Sequence, residues 1–464
     1  MADRLQEILD EIETKKAATG GVITEVAVEP ELPEPEQGGD VIHVLPVLPD
    51  YDGETIAQTG GITAFVRAVM PLRSDKPLEI VRKIVFMVSL MVAIVCFGMI
   101  FNNIRSGAAD EANYNNLRQG MERALEQFEM SGSLSLPSDK IEEMLADDPA
   151  ALLEYAHELA EFIPLSPERI LEILMERPGI KPQYIETYDR NNDLIGWLRI
   201  QDTRLDYPVL QYRRYGEDGR VTGDNHYYLD YDIDHIRSAY GSIYAEWRFP
   251  FTPTYRPDNT VLYGHNMRNR SRFHTVSLYY PYHHNYPRPS IEFYRENPII
   301  EFNTLYTEGL YKVFAVIFVH TEEDKYEDVY DYFRKREFPD RASFYDFMQN
   351  IMDRSAFYTD VDVMYGDEIL TLSTCHYPLG ESVDARVAVF ARRLREGETI
   401  DDFDLDAAYV NSSPLFFNLF YERRGGMWQG RNWDTSKIIG LDEFLLENPD
   451  ADTRLNYITR MVDF

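Results

Sequence analysis

The chain has 464 residues, enough for about three domains at ~150 residues each. It is 44% hydrophobic and 27% charged, a balance that folds rather than stays disordered. Its 79 acidic residues against 46 basic ones leave a net charge of −33, which excludes a phosphate-neutralising nucleic-acid surface and a basic protein held on anionic lipid. The only cysteines, Cys96 and Cys375, exclude a disulfide framework and a cysteine-based zinc site.

The N-terminal 83 residues read as a cytoplasmic tail. Leu5, Ile8, Leu9 and Ile12 have the spacing of one short amphipathic helix, marginal at that length. Residues 20–61, rich in Gly, Pro and Glu, read as a disordered linker. Residues 84–101 (IVFMVSLMVAIVCFGMIF) carry no charge and match the length needed to cross about 30 Å of hydrocarbon. Arg73, Lys76, Arg82 and Lys83 precede this run, while Arg105, Asp110 and Glu111 follow it. That asymmetry predicts a single-pass membrane protein with a cytoplasmic N-terminus and its larger part outside the cell. The small residues 106–109 are also compatible with a cleavage site. Cys96 falls inside the span, so it cannot meet Cys375.

Beyond the span, 108–180 reads as a membrane-proximal helical region. Helices are expected over 113–128 and 138–162, and a third starts at Ser166-Pro167-Glu168 and stops at Pro178-Gly179. From residue 194 the period becomes two. Strands are expected at 195–200, 242–247, 260–263, 299–302, 311–319, 368–374 and 387–393, with helical stretches at 327–335 and 343–353. Seven or eight strands with helices inserted suggest a mainly β domain, a closed barrel or a sandwich.

The segment EILTLSTC ends in Cys375. A lone cysteine is either a buried small hydrophobe or a nucleophile. His265 ends another strand in VLYGHNM, and Arg386 opens the next one in DARVAVFARR. A thiolate needs a nearby cation, which a guanidinium supplies permanently, and a histidine can hand a proton to a departing amine.

TLSTC with an upstream YGH and a downstream Arg resembles the sortases, membrane-anchored cysteine transpeptidases of Gram-positive cell surfaces. The resemblance runs from about 195 to 393. It includes GWLRI with QDTRLDYPVLQ, and NHYYLDYDIDHIRSAYGSIYAEWR. The insertion between 319 and 368 is similar to that of class B sortases. The resemblance implies an eight-stranded β-barrel over 181–395. It implies that Cys375 is the nucleophile, His265 the general acid/base, and Arg386 the holder of substrate backbone and oxyanion. Ser373 and Thr374 beside the cysteine, and Tyr263 two before the histidine, would bind substrate. Asn225 and Leu229 would line the peptide groove. The implied partners are secreted proteins with a C-terminal sorting signal and an amine on peptidoglycan or its lipid-linked precursor. A pilin lysine is the alternative acceptor, and a non-catalytic envelope protein on the same fold is the alternative role. A papain-like hydrolase would need the Cys before the His. The resemblance implies no cofactor.

Two departures stand out. His376 occupies a position that is acidic in some relatives, either aiding the thiol or pointing to solvent. The ten residues between Cys375 and Arg386 form a loop of variable length, so Arg392 and Arg393 are backups for the arginine role. His265, His274, His283 and His284 cluster within 20 residues but match no helical metal-ligand spacing, so no metal is expected. The acids Asp230, Asp232, Asp234, Glu322, Glu323 and Asp324 are expected to be solvated. Residues 396–464 are an extension of unknown role. Its apolar run 415–421 is too short for a membrane span and is expected either to pack on the barrel or to lie over the site as a lid.

Overall fold

A computed structural model of the protein describes residues 69–131, 135–216, 218–282, 289–322, 328–380 and 382–453. The predicted tail helix and linker lie outside these residues. The chain forms two compact units, Met1–Ser106 and Gly107–Phe464.

The described part of the first unit includes the start of helix α1 (Pro77–Ser131), which contains the uncharged 84–101 run. Among the described residues, α1 is the one helix long and apolar enough to cross a membrane. Ile84, Met91, Ile94, Phe97 and Phe101 are all exposed, as lipid-facing side chains would be. Both cysteines are free.

In the second unit, α1 continues to Ser131 and covers the helix expected at 113–128. Here Arg272 is almost wholly buried between the Tyr114 and Tyr207 rings, 4.2 and 5.1 Å from their centroids. It donates to Asp110 at 2.7 Å and to the Gly241 carbonyl at 2.8 and 2.9 Å. A buried ion pair with one partner removed leaves an uncompensated charge, which costs about 3–5 kcal/mol. Arg272→Ala is therefore expected to lower the unfolding free energy by about that amount, read from urea denaturation. A loss under ~1 kcal/mol would show that the helix is held by packing alone.

The helix expected at 138–162 is two helices, α2 (Ser138–Asp147) and α3 (Pro149–Leu159). Pro149 has no N–H to continue the ladder, and Asp148 instead caps α3 by accepting from Ala151 N. Helix α4 (Pro167–Glu176) starts as expected, with Ser166 accepting from Arg169 N at 3.3 Å. A short α5 (Ile185–Arg190) leads into the barrel.

Eight strands close the barrel: β1 (Leu194–Arg199), β2 (Asp206–Leu210), β3 (Ile243–Ala245), β4 (Asn259–Tyr263), β5 (Ile299–Thr304), β6 (Leu310–His320), β7 (Ile369–Cys375) and β8 (Ala385–Arg393). Their order around the wall is β1-β2-β3-β4-β7-β8-β6-β5. The β2–β3 and β4–β7 pairs are parallel and the rest antiparallel. Closure leaves no free edge. Strand β2 escaped the pattern because Pro208 interrupts it.

The insertion between β6 and β7 holds α6 (Arg341–Arg354), started by an Asp340/Ser343 capping box. Phe344, Phe347, Met348 and Ile351 of α6 pack against Phe314, Ile317 and Phe390 of the barrel wall. The α-helix expected at 327–335 is absent among its described residues, which hold only a single 3₁₀ turn, Tyr332–Arg334. Tyr332 here reaches Ser373 on β7, and Arg336 reaches Glu246 just past β3.

Residues after 395 form part of the same core. Trp433, Ile438 and Leu441 join the α6 cluster, and buried Arg431 pairs with buried Asp353 at 2.9 Å. The extension's described residues include two short α-helices, α7 (Asn418–Arg424) and α8 (Leu441–Glu447).

Candidate active site

The barrel brings three strand ends together. In the antiparallel β7–β8 ladder, Cys375 stands directly opposite Arg386, and Ser373 opposite Ala388. In the parallel β4–β7 ladder, Tyr263 stands beside Ser373. Two residues past Tyr263 the chain reaches His265, level with the strand end that carries Cys375. Ile369, Leu370 and Leu372 anchor β7 in the core, and only its last residue, Cys375, is partly exposed.

Cross-links hold these ends in place. The Thr374 hydroxyl donates to the Gly264 carbonyl at 2.8 Å, and Asn266 Nδ2 donates to the Cys375 carbonyl at 3.0 Å. His265 is fixed twice: its carbonyl accepts from Phe273 N at 2.9 Å, and its Nε2 lies 3.0 Å from the Leu229 carbonyl. A carbonyl only accepts, so Nε2 carries the hydrogen there and Nδ1 is the nitrogen that gains or loses a proton.

Arg386 is gripped by Asp384 through both Nη atoms, the Nη2 bond being 3.1 Å. Burial pulls its guanidinium down, but the Cys375 charge and the Asp384 carboxylate outweigh that and hold it above its ordinary value. It is a permanent cation at the site.

Tyrosines surround these groups. The hydroxyls of Tyr332 and Ser373 share a 2.6 Å hydrogen bond. Burial pushes Tyr332 up to about 12, although the Ser373 bond opposes it. Burial also raises Tyr244 and Tyr263, whose rings stack with centroids 5.4 Å apart. Burial first, and the influence of Cys375 second, raise Tyr377 as well. All four remain neutral hydrogen-bond donors near pH 7.

The groove residues divide. Asn225 is committed to structure: its Nδ2 donates to Glu246 and its Oδ1 accepts from Trp247 N at 3.1 Å. Glu246 in turn accepts from buried Arg336 at 2.7 Å. Leu229 acts through its backbone carbonyl, on His265. Arg392 and Arg393 lie at the far end of β8. Arg392 is fully buried against Glu398 and Asp362, and Arg393 binds Glu368. Only Arg386 faces the thiol.

His376 points neither to the thiol nor to solvent. It is buried, with its ring 5.3 Å from Tyr280 and 5.8 Å from Phe318. Consecutive strand residues face opposite ways, so the partly exposed Cys375 sends its neighbour inward onto these rings. Of the clustered histidines, His274 bonds Asn266 at 3.1 Å, while His283 and His284 lie outside the described residues. No group of three or more His, Cys, Asp or Glu is placed to hold a metal ion among the described residues. Of the acids expected to be solvated, Asp234 is instead paired with Arg190 at 2.6 Å. Glu323 and Asp324 lie outside the described residues.

Sequence reasoning did not reach Tyr332, Glu246, Arg336, Tyr377 or Asp384. Tyr377 and Asp384 sit two residues from Cys375 and Arg386, so proximity was an available signal for them. No spacing connects Tyr332 to Ser373 across 41 residues.

No protein-family model matches the chain. The sortase B of Listeria monocytogenes serovar 1/2a (strain EGD-e) is 32% identical over 186 residues, covering 40% of this chain and 63% of that protein, somewhat under two thirds of its length. The sortase B of Staphylococcus aureus (strain NCTC 8325 / PS 47) is 28% identical over 216 residues, 47% of this chain and 76% of that protein. Among solved structures, S. aureus sortase B complexed with MTSET has 23% identity and a TM-score of 0.41, covering 61% of this chain and 88% of that one. By sequence, then, the chain is most similar to the sortases of class B.

Proposed function

We propose that the protein is a membrane-anchored cysteine transpeptidase. It cleaves a C-terminal sorting motif of secreted proteins at a threonine carbonyl and transfers the new acyl end to a cell-wall amine. The observation that carries this reading is the ladder register that sets Arg386 opposite Cys375, with the YGH strand end alongside.

The Cys375 thiolate attacks the threonine carbonyl carbon, and the carbonyl electrons move onto oxygen. The Arg386 guanidinium faces that oxyanion, a position where one preorganised donor is worth about 10²–10³ in rate. The C–N bond then breaks, and the amine leaves with a proton from the His265 imidazolium. This yields a thioester on Cys375. In the second half an incoming amine attacks the thioester, His265 takes its proton, and the thiolate departs from the new amide. The Leu229 carbonyl holds the imidazole in place through Nε2. Tyr332 holds Ser373, on the same strand face as the reacting sulfur.

The basic residues before the 84–101 run and the acids after it support an N-terminus in the cytoplasm and a barrel outside. The partners on this reading are secreted proteins with a sorting signal and peptidoglycan or its lipid-linked precursor. The test pairs a sorting-signal peptide with separate amines: oligoglycine, a diaminopimelate-type amine and a lysine peptide. The ligated product is identified by mass. A wall-type amine is expected to be joined, and selective joining of the lysine peptide would instead indicate pilin polymerisation. His265→Ala is expected to lower the rate of product formation about 10²–10⁴-fold. Unaltered turnover by that variant would remove His265 from the mechanism.

A further inference from the structure

The loop that joins Cys375 to Arg386 begins with a β-turn, Tyr377-Pro378-Leu379-Gly380. The Gly380 N–H donates to the Tyr377 carbonyl at 3.1 Å, and Gly380 has φ +95°, which suits glycine. Such a turn leaves the carbonyls of its two central residues without partners inside the turn. Both are taken by the C-terminal extension. Arg424 Nη2 donates to the Pro378 carbonyl at 2.7 Å, and Arg423 Nη1 donates to the Leu379 carbonyl at 2.7 Å.

These arginines end α7, which is itself fastened to the barrel. Asn418 N at its start donates to Asp328, whose other oxygen lies 3.1 Å from His320 Nε2 on β6. Phe417 and Phe420 pack on Phe318, with ring centroids 5.4 and 6.0 Å away. Between α7 and the turn lies a cavity of about 450 Å³ whose wall includes Tyr280, Tyr282, Pro378, Phe416 and Phe420. Packing is therefore incomplete there, and the two guanidinium bonds tie the turn to the helix. Charged hydrogen bonds are among the stronger ones available for such a tie. The first residue of the turn, Tyr377, lies two residues past Cys375, and the loop that the turn opens connects Cys375 to Arg386, its partner in the ladder.

We propose that Arg423 and Arg424, outside the barrel strands, are positioning residues for the reaction at Cys375. They clamp the Tyr377–Gly380 turn and so hold Tyr377 and the loop leading to Asp384 and Arg386 in place. The inference rests on the transpeptidase reading for its kinetic consequence, and on the geometry alone for the clamp.

The test uses the full-length chain in detergent, comparing the parent with R423A/R424A and R423K/R424K. Both arginines are exposed, so the alanine variant is expected to fold. Amide exchange in the peptide containing Leu379 and Gly380 is expected to quicken about tenfold or more in the alanine variant, with β7 and β8 unchanged. The kcat for thioester formation is expected to fall about tenfold with KM within about threefold, because misplacing a catalytic loop affects orientation more than peptide binding. Lysine keeps one donor per carbonyl, so R423K/R424K should recover most of both effects. Unchanged exchange would overturn the clamp. Faster exchange with unaltered kcat would overturn the positioning role. If the parent itself formed no thioester, the transpeptidase reading would fail, while the exchange result would still decide the clamp.

Discussion

Cys375→Ala is expected to abolish acyl-enzyme formation, a loss of about 10⁴-fold or more, because no other group at the site can take the acyl chain. Ser373 is two residues away, but its hydroxyl is held at 2.6 Å by Tyr332 and is buried. His265 and His376 cannot substitute either: one is turned to the Leu229 carbonyl and the other is buried between Tyr280 and Phe318. The fold should not notice the change. Cys375 ends its strand partly exposed, and its backbone pairing with Arg386 does not depend on sulfur. Unfolding free energy is expected within about 1 kcal/mol of the parent. Normal turnover by this variant would sink the nucleophile assignment.

The arginines of β8 should separate by kind of defect. Arg386→Ala is expected to cut the rate of thioester formation about 10²–10³-fold with little change in stability. Its partner Asp384 is exposed enough for water to replace the guanidinium. Arg392→Ala should instead destabilise the protein by about 3–5 kcal/mol, since it strips a fully buried cation from Glu398 and Asp362. The pH dependence has a defined sign. Burial raises Glu398, but the bonds from Arg392 and Arg395 outweigh it and lower its folded value. A depressed carboxylate contributes stability above its unfolded value and loses it as pH falls through the folded one. The stability gap of Arg392→Ala should therefore be full at neutral pH and shrink below the ordinary glutamate range. An inactive, stable Arg392→Ala beside an active Arg386→Ala would reverse the assignment.

What the sequence made legible was chemistry attached to strand ends. TLSTC, YGH and the first arginine of the next strand are short, local signals, and the barrel joins them by direct ladder pairing. The arginine itself was ambiguous on spacing alone, because a loop length does not set a register. The hydrogen-bond ladder does. Other features were hidden for identifiable reasons. Pro208 masked β2, and Pro149 split a helix whose apolar spacing ran straight across it. The aromatic spacing at 330–333 resembled a helical stripe, yet Tyr330 turns to α6, donating to the Phe347 carbonyl at 3.4 Å, and Tyr332 to the barrel, onto Ser373. Leu229 positions His265 with a backbone carbonyl, an atom every residue has, so no residue type could announce it. How the extension attaches was not legible, because Arg431, Trp433 and Ile438 find their partners on α6 and the segment before β7, between 75 and 80 residues earlier.

The most direct test of the central claim is the intact mass of the full-length chain in detergent, read at once after mixing with sorting-signal peptides of NPxTx, LPxTG and SPxTG type. The account predicts a mass gain equal to the N-terminal peptide fragment through threonine, present in the parent and absent in Cys375→Ala. The adduct should disappear when a suitable amine is added. A parent chain that turns over peptide with no adduct, or an adduct that persists in Cys375→Ala, would contradict it.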